Sequence, residues 1–192
     1  MLVITVIPAT AFKTVPWKNG LGHTTELAIN DGGNLDRFDW RLSIASVVSN
    51  GEFSNFSGYQ RNLVLIEGSG LILDHGNGDI DKLTNLLDIA HFDGGNKTHG
   101  SLVNGAIKDF NVITNQQSFN AQVDSYTGTK TLSFTSAKNT VAFVYSLTDE
   151  TKIQTNQQSL QLPVGHLMKI ENTQDEIHIT GENLIIIQLT KI

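Results

Sequence analysis

Apolar side chains recur along this chain in short runs rich in Val, Ile, Leu, Phe and Thr, each closed off by a cluster of Gly, Asn, Asp or Ser. That spacing marks short strands joined by turns. Strands are expected at residues 2–7, 24–29, 39–45, 62–67, 70–74, 107–114, 119–124, 131–135, 140–147, 167–171, 176–180 and 184–190. Between them stand Asn19-Gly20, Asp31-Gly32-Gly33, Asn50-Gly51, Gly68-Ser69-Gly70, Asp93-Gly94-Gly95 and Thr180-Gly181, residue pairs that supply the positive φ of tight reversals. A helical period occurs at one place. Ile80, Leu83, Leu86, Leu87 and Ala90 fall near i, i+3, i+4 and i+7, which predicts a short helix near 80–91.

About a dozen strands exceed what one open twisted sheet accommodates, so closure into barrels or splitting into packed sheets is expected. A faint internal likeness supports two barrels. Residues 61–74 run strand, Gly-Ser-Gly turn, strand, and the segments 140–147, 162–170 and 176–189 place apolar residues in a similar way. The fold class expected is therefore mainly β, with two small jelly-roll β-barrels over residues 1–110 and 111–192. With no Pro/Ser-rich or charged linker between them, the two are expected to pack as a single compact unit.

Composition narrows the function classes. Of 192 residues, 39% are hydrophobic and 17% charged, which suits a globular chain and neither a disordered nor a coiled-coil one. Lys and Arg number 13 against 19 Asp and Glu, a net charge of −6, and no Lys/Arg cluster counters that field. Nucleic acids and anionic membranes are thereby disfavoured as partners, and a small molecule is favoured. The absence of cysteine removes disulfides, thiolate metal sites and a Cys nucleophile. The short apolar stretch before Pro8 has no basic flank and is too brief for a signal peptide or a membrane span, so a cytoplasmic location is the default expectation. Exposed strand edges would allow a homodimer.

Candidate chemistry is sparse. His23, His75, His91, His99, His166 and His178 show no ligand spacing on any one strand, so neither a metal nor another cofactor is expected. There is no Gly-x-Ser-x-Gly elbow, and Asn19-Gly20-Leu21-Gly22 lacks a phosphate-loop fingerprint and precedes a strand rather than a helix. What remains is a set of polar residues within apolar strands. Alternation groups Arg41, Ser43 and Ala45 on one face, Arg61, Leu63, Leu65 and Glu67 on another, and Asp109, Asn111 and Ile113 on a third. Such mixed faces suit the inside of a ligand-holding barrel, and they equally suit an outward, solvated face.

Four blocks resemble one family. They are Pro16-Trp17-Lys18-Asn19-Gly20-Leu21-Gly22-His23-Thr24-Thr25-Glu26, then Phe38-Asp39-Trp40-Arg41-Leu42-Ser43-Ile44-Ala45, then Phe53-Ser54-x-Phe56-x-Gly58-x-x-Arg61 with Leu65-Ile66-Glu67-Gly68-x-Gly70, and lastly Asp109-Phe110-Asn111. In order and spacing they are similar to the HutD/Ves family of the cupin superfamily. The resemblance implies a bicupin fold, a bacterial cytoplasmic protein, and an association with histidine utilisation or with stress and cold response. Leu21 departs from the family's glycine run and would narrow or reshape that loop.

The same resemblance implies site residues. Lys18, Asn19, Thr25, Glu26, Arg41, Ser43, Arg61, Asp109 and Asn111 fall on motif positions, and Trp17 would wall the cavity. Arg holds a carboxylate through two parallel N–H bonds and Lys adds a compact positive charge, so Arg41, Arg61 and Lys18 together imply a small carboxylate ligand. Formylglutamate or urocanate follow from the family association, with a regulatory or modulating role. Three alternatives stay open: an ion-pair network that merely organises the barrel mouth, a metal-independent isomerase or amide hydrolase with Glu26 or Asp109 as base, and a structural or protein-interaction role.

Overall fold

Side chains alternate between buried and exposed along peripheral segments such as Ile89–Asp93 and Thr151–Gln154, whereas Trp40–Val47, Tyr59–Glu67 and Ile107–Asn115 are buried over most of their length. A computed structural model of the chain describes residues 2–17, 20, 22–135, 139–156, 158–171 and 176–192. In chain order the strands are β1 (Val3–Ile7), β2 (Lys13–Pro16), β3 (Gly22–Ile29), β4 (Trp40–Val47), β5 (Gly51–Glu52), β6 (Tyr59–Glu67), β7 (Leu71–Asp74), β8 (Ile80–Leu83), β9 (Ile89–Asp93), β10 (His99–Leu102) and β11 (Ile107–Asn115). They continue with β12 (Phe119–Thr135), β13 (Thr140–Ser146), β14 (Thr151–Gln154), β15 (Ser159–Leu162), β16 (Leu167–Glu171) and β17 (Glu176–Lys191). One turn of 3-10 helix, Ala9–Ala11, is the only helical element among the described residues. The protein is mainly β, and among the described residues no helix is long and apolar enough to cross a membrane.

Two compact units divide the chain: Phe12–Phe119, and Met1–Ala11 together with Asn120–Ile192. A boundary at 110/111, where the strand pattern put it, would run through β11. It would also detach β1 from its partner, since Val3–Ile7 pair antiparallel with Leu167–Glu171. Backbone hydrogen bonding between distant segments decides this division, and periodicity along the chain carries no record of it.

The Phe12–Phe119 unit holds two sheets, ordered β2-β3-β4-β11-β6-β9 and β5-β10-β7-β8. Their facing side chains share one core, with Ala45, Val47, Leu63, Leu65, Ala90, Phe92 and Ile107 from the first sheet against Leu71, Leu73 and Leu83 from the second. In the other unit β1-β16-β13-β17-β14-β15 form a single sheet, with β12 also on β17. Its core is almost purely aliphatic, including Val144, Ile153, Leu162, Met168, Ile170, Ile179, Leu184 and Ile186.

The helix expected near 80–91 is not formed. Ile80–Leu83 pair with β7 and Ile89–Asp93 pair with β6. Between them the Asp88 carboxylate accepts hydrogen bonds from the backbone N–H groups of Thr84 and Asn85, both at 2.8 Å, and Leu87 takes a φ of 70°. Two short strands with a tight turn imitate the i, i+4, i+7 spacing because Leu83, Leu87 and Ala90 all reach the core. The pattern also left β2, β5, β10, β14 and β15 unread, each only two to four residues long.

Thr180-Gly181 is likewise not a reversal, for β17 runs unbroken from Glu176 to Lys191. Its first half pairs with β14 and its second half with β13. Glycine is used here for close approach: a Cβ at Gly181 would meet Thr151 Oγ1 at 2.5 Å and Leu184 Cδ2 at 3.1 Å. Thr151 is fully buried and its hydroxyl donates to Ser146 Oγ at 3.1 Å, so it has little freedom to retreat. Gly181→Ala is therefore expected to destabilise the protein by about 1–3 kcal/mol, read as a lower denaturant midpoint, whereas an unchanged midpoint would contradict this packing.

Candidate ligand-binding site

Three central strands of the six-stranded sheet, β4, β11 and β6, are buried on both faces over most of their length. The mixed faces read from the sequence are thus interior ones, and the solvated reading is excluded for them. Antiparallel register lines their side chains up in rows. In one row Lys13 opposes Glu26, Glu26 opposes Ser43, Ser43 opposes Asn111, and Asn111 opposes Leu63. In the neighbouring row Arg41 opposes Ile113, Ile113 opposes Arg61, and Arg61 opposes Phe92. Polar groups from five strands converge on one side of the sheet.

A cavity of about 850 Å³ opens on that side. Trp17, Glu26, Arg41, Ser43, Arg61 and Asn111 line it, so six of the residues expected at the site are brought together. Its remaining wall is mostly apolar, from Val15, Leu35, Ala45, Val47, Phe53, Phe56 and Ile113. Trp17 is held as a wall by two bonds: its backbone N–H donates to Gly22 O at 2.9 Å, and its indole Nε1–H donates to Thr24 Oγ1 at 2.8 Å. A side chain at Gly22 would strike the Ser46 carbonyl and come within 2.9 Å of the indole, so glycine is what lets the ring lie there.

Of the other four expected residues, two are placed elsewhere and two lie outside the described residues. Thr25 lies on the opposite face, where its hydroxyl bonds Thr14 Oγ1 at 2.8 Å near the surface, and it does not line the cavity. Strand alternation requires this once Thr24 and Glu26 face inward. Asp109 sits one step behind the wall, fully buried, and meets the cavity only through Asn111. Lys18 and Asn19 lie outside the described residues, as does Leu21.

The two arginines differ. Arg41 Nε donates to Glu26 Oε2 at 2.8 Å, a partly buried ion pair that commits much of both charges. Among the described residues no carboxylate forms an ion pair with Arg61. Its Nη2 donates to Asn111 Oδ1 at 2.6 Å, its Nη1 makes a long 3.5 Å contact with Ser54 O, and its buried Nε has no acceptor. Phe92, Phe53 and Phe56 surround the guanidinium with ring centroids at 5.1, 5.3 and 5.7 Å, which compensates part of its desolvation. Burial lowers its pKa to about 10, with Asp109 opposing and Arg41 adding to the fall, so it remains a cation at neutral pH. Asn111 Nδ2 in turn donates to Asp109 Oδ1, while Asp109 Oδ2 has no partner. Burial pushes the Asp109 carboxyl up to about 7, against the opposing pull of Arg61 and of the Asn111 bond.

Phe53, Ser54 and Phe56 were not expected at the site, although they belong to the Phe53-Ser54-x-Phe56 block that carries the resemblance. An aromatic pair shortly before a strand arginine is the signal that could have found them. The histidines are dispersed. His75 bonds Thr98 Oγ1 at 3.1 Å and Asp81 Oδ2 at 3.0 Å, His91 bonds Asn62, His178 bonds Ser133, and His166 bonds its neighbour Val164 O. Among the described residues no three His, Cys, Asp or Glu side chains are grouped to hold a metal ion.

A sheet-lined cavity, mostly apolar and with a buried cation on its lining, defines a mainly β, barrel-like protein with a candidate ligand site. Sequence comparison gives the family: the HutD profile matches residues 9–186, and the chain belongs to the HutD family. A 21.2 kDa Pseudomonas putida protein from the hutC 3′ region is 36% identical over 148 residues, 76% of each chain. Protein Ves of Escherichia fergusonii is 36% identical over 108 residues, 56% of each chain. Among solved structures, HutD from Pseudomonas fluorescens SBW25 is similar over 99% of this chain and 100% of its own, with 30% identity and a TM-score of 0.82.

A pH dependence of stability follows from Asp109. Because its carboxyl is raised from 3.8 to about 7 on folding, the folded state holds a proton that the unfolded state has released. The contribution of this group is complete below about pH 4 and is lost as pH rises to about 7. The stability difference between wild type and Asp109→Asn should therefore shrink from pH 4 to 7 and level off above that, and urea denaturation at pH 4.5, 6 and 8 checks it.

Proposed function

We propose that the cavity binds a small carboxylate and that the protein acts in histidine utilisation as a sensor or modulator of such a metabolite. One observation carries this reading: Arg61 is a buried cation on the cavity lining with no carboxylate of its own and with a donor, Nε, left without an acceptor. A buried charge without a counter-charge is costly unless something else supplies one. An anion in the cavity would do so, and a carboxylate matches the planar guanidinium. The apolar walls and the size of the cavity suit a ligand with a carbon body.

Formylglutamate and urocanate are the ligands we propose. Support for histidine utilisation over a stress role is the HutD profile over residues 9–186, together with the P. putida relative from the hutC 3′ region. Binding is favoured over turnover because Asp109, whose carboxyl burial pushes up to about 7, stands behind Asn111 rather than on the lining, and Glu26 on the lining is committed to Arg41. Arg41, already paired with Glu26, orients the ligand's far end rather than anchoring it.

Calorimetric titration with formylglutamate and urocanate should show binding by the wild type. Arg61→Lys, which keeps the charge and loses the fork, should weaken it by about 1.5–3 kcal/mol, roughly ten- to a hundredfold, and Arg41→Ala by less. NMR of the incubated mixture should show the ligand unchanged. A wild type that binds neither acid overturns the ligand, equal binding by Arg61→Lys overturns the anchor, and appearance of product overturns the non-catalytic role.

A further inference from the structure

Asp109 is fully buried, yet its Oδ2 has no hydrogen-bond partner and its Oδ1 is bound only by the Asn111 amide. That amide also accepts from Arg61, so cation and anion communicate through a single side chain. The surroundings of Asp109 are otherwise poor in charge. Its cross-strand neighbours are Ala45 on β4 and Leu65 on β6. Farther along the same face, β4 contributes Arg41, already paired with Glu26 of β3, and Lys13 stands opposite Glu26 on the edge strand β2. The facing sheet brings Leu71, Leu73 and Leu83 to this core, while its buried His75 is turned to Asp81 and Thr98. Lys108 of β11 and Glu67 of β6 pair with each other at 2.6 Å near the surface, as Lys97 and Glu52 do at 3.5 Å. Among the described residues Arg61 is the buried cation without a carboxylate in contact, and it lies on the cavity lining with Asp109 behind it.

We propose, resting on the carboxylate reading above, that the site takes up its anionic ligand together with one proton, which comes from solvent and ends on Asp109. Two carboxylates near one guanidinium in a medium of low dielectric cannot both stay ionised at little cost. The ligand's carboxylate takes over Arg61, and Asp109, deprived of that attraction and repelled by the new charge, becomes the neutral acid. Burial already pushes the Asp109 carboxyl up to about 7, so a modest further rise is enough for binding to draw a proton at physiological pH. Linkage then makes affinity fall as pH rises above about 7, by up to tenfold per unit until the liganded site itself deprotonates. A sensor built this way reports the ligand and the proton jointly.

The test is titration of the wild type with formylglutamate, whose carboxyls stay ionised throughout, at pH 7.5 in phosphate and in Tris. Proton uptake should appear as a difference in heat that scales with the buffers' ionisation enthalpies. The apparent Kd should rise about three- to fivefold from pH 7 to 8. In Asp109→Asn binding should persist, with both effects gone. Should that variant not fold, carboxyl ¹³C NMR of the wild type reads the same quantity: one buried Asp should titrate near neutral pH and move upward on adding formylglutamate. Equal heats in both buffers with a flat Kd, uptake retained in Asp109→Asn, or an Asp titration that ignores the ligand would each overturn proton coupling and leave carboxylate binding standing. No binding of formylglutamate to the wild type at any pH overturns both for this ligand.

Discussion

Register between β11 and its two neighbours is the constraint on which the site depends. Residues 109, 111 and 113 face the cavity side because β11 pairs with β4 and β6 in one particular alignment. A slip of one residue would turn Phe110 and Val112 inward and carry Asp109 and Asn111 to the other face. Both faces of these strands are buried, so such a slip would bury the same polar groups without the partners they have here. Apolar packing thus protects the placement of the polar chain from Arg61 through Asn111 to Asp109.

That chain is incomplete by design of its surroundings. A buried guanidinium and a buried carboxyl joined through an amide, each with one atom unpartnered, is an arrangement that packing alone does not favour. Three aromatic rings around Arg61 reduce the cost of the cation but supply no acceptor. By contrast, the Arg41–Glu26 pair is internally satisfied, and the aliphatic core of the other unit holds no comparable tension. Among the described residues the buried atoms without a partner are Arg61 Nε on the cavity lining, Asp109 Oδ2 just behind it, and Asn62 Nδ2 and Thr114 Oγ1 elsewhere on the same sheet.

Much of this was legible in the sequence. Alternation grouped Arg41 with Ser43 and Asp109 with Asn111 on shared faces and set Arg61 with Leu63 and Leu65, because strand side chains follow a strict two-residue period, while burial on both sides of the sheet decided that these faces are interior. The four family blocks picked out the strands and loops that line the cavity. Thr25 was misplaced for want of the same rule: it sits between Thr24 and Glu26, which both face inward, and one strand position cannot share a face with its neighbours.

What the sequence by itself determined is therefore local: a mainly β chain, which side chains share a face of its longer strands, and the residue types available for an anion. Tertiary structure alone decided the rest. Ile80–Asp93 became two strands and a turn because β7 and β6 offered edges to pair with, overriding a helical spacing. β1 joined β16 across the whole length of the chain. Arg61 was left without a carboxylate while Arg41 received one, although the two look alike as arginines within β-strands. Each of these outcomes depends on what lies across a hydrogen-bonded ladder or a packed core, and separation along the chain holds no information about that distance.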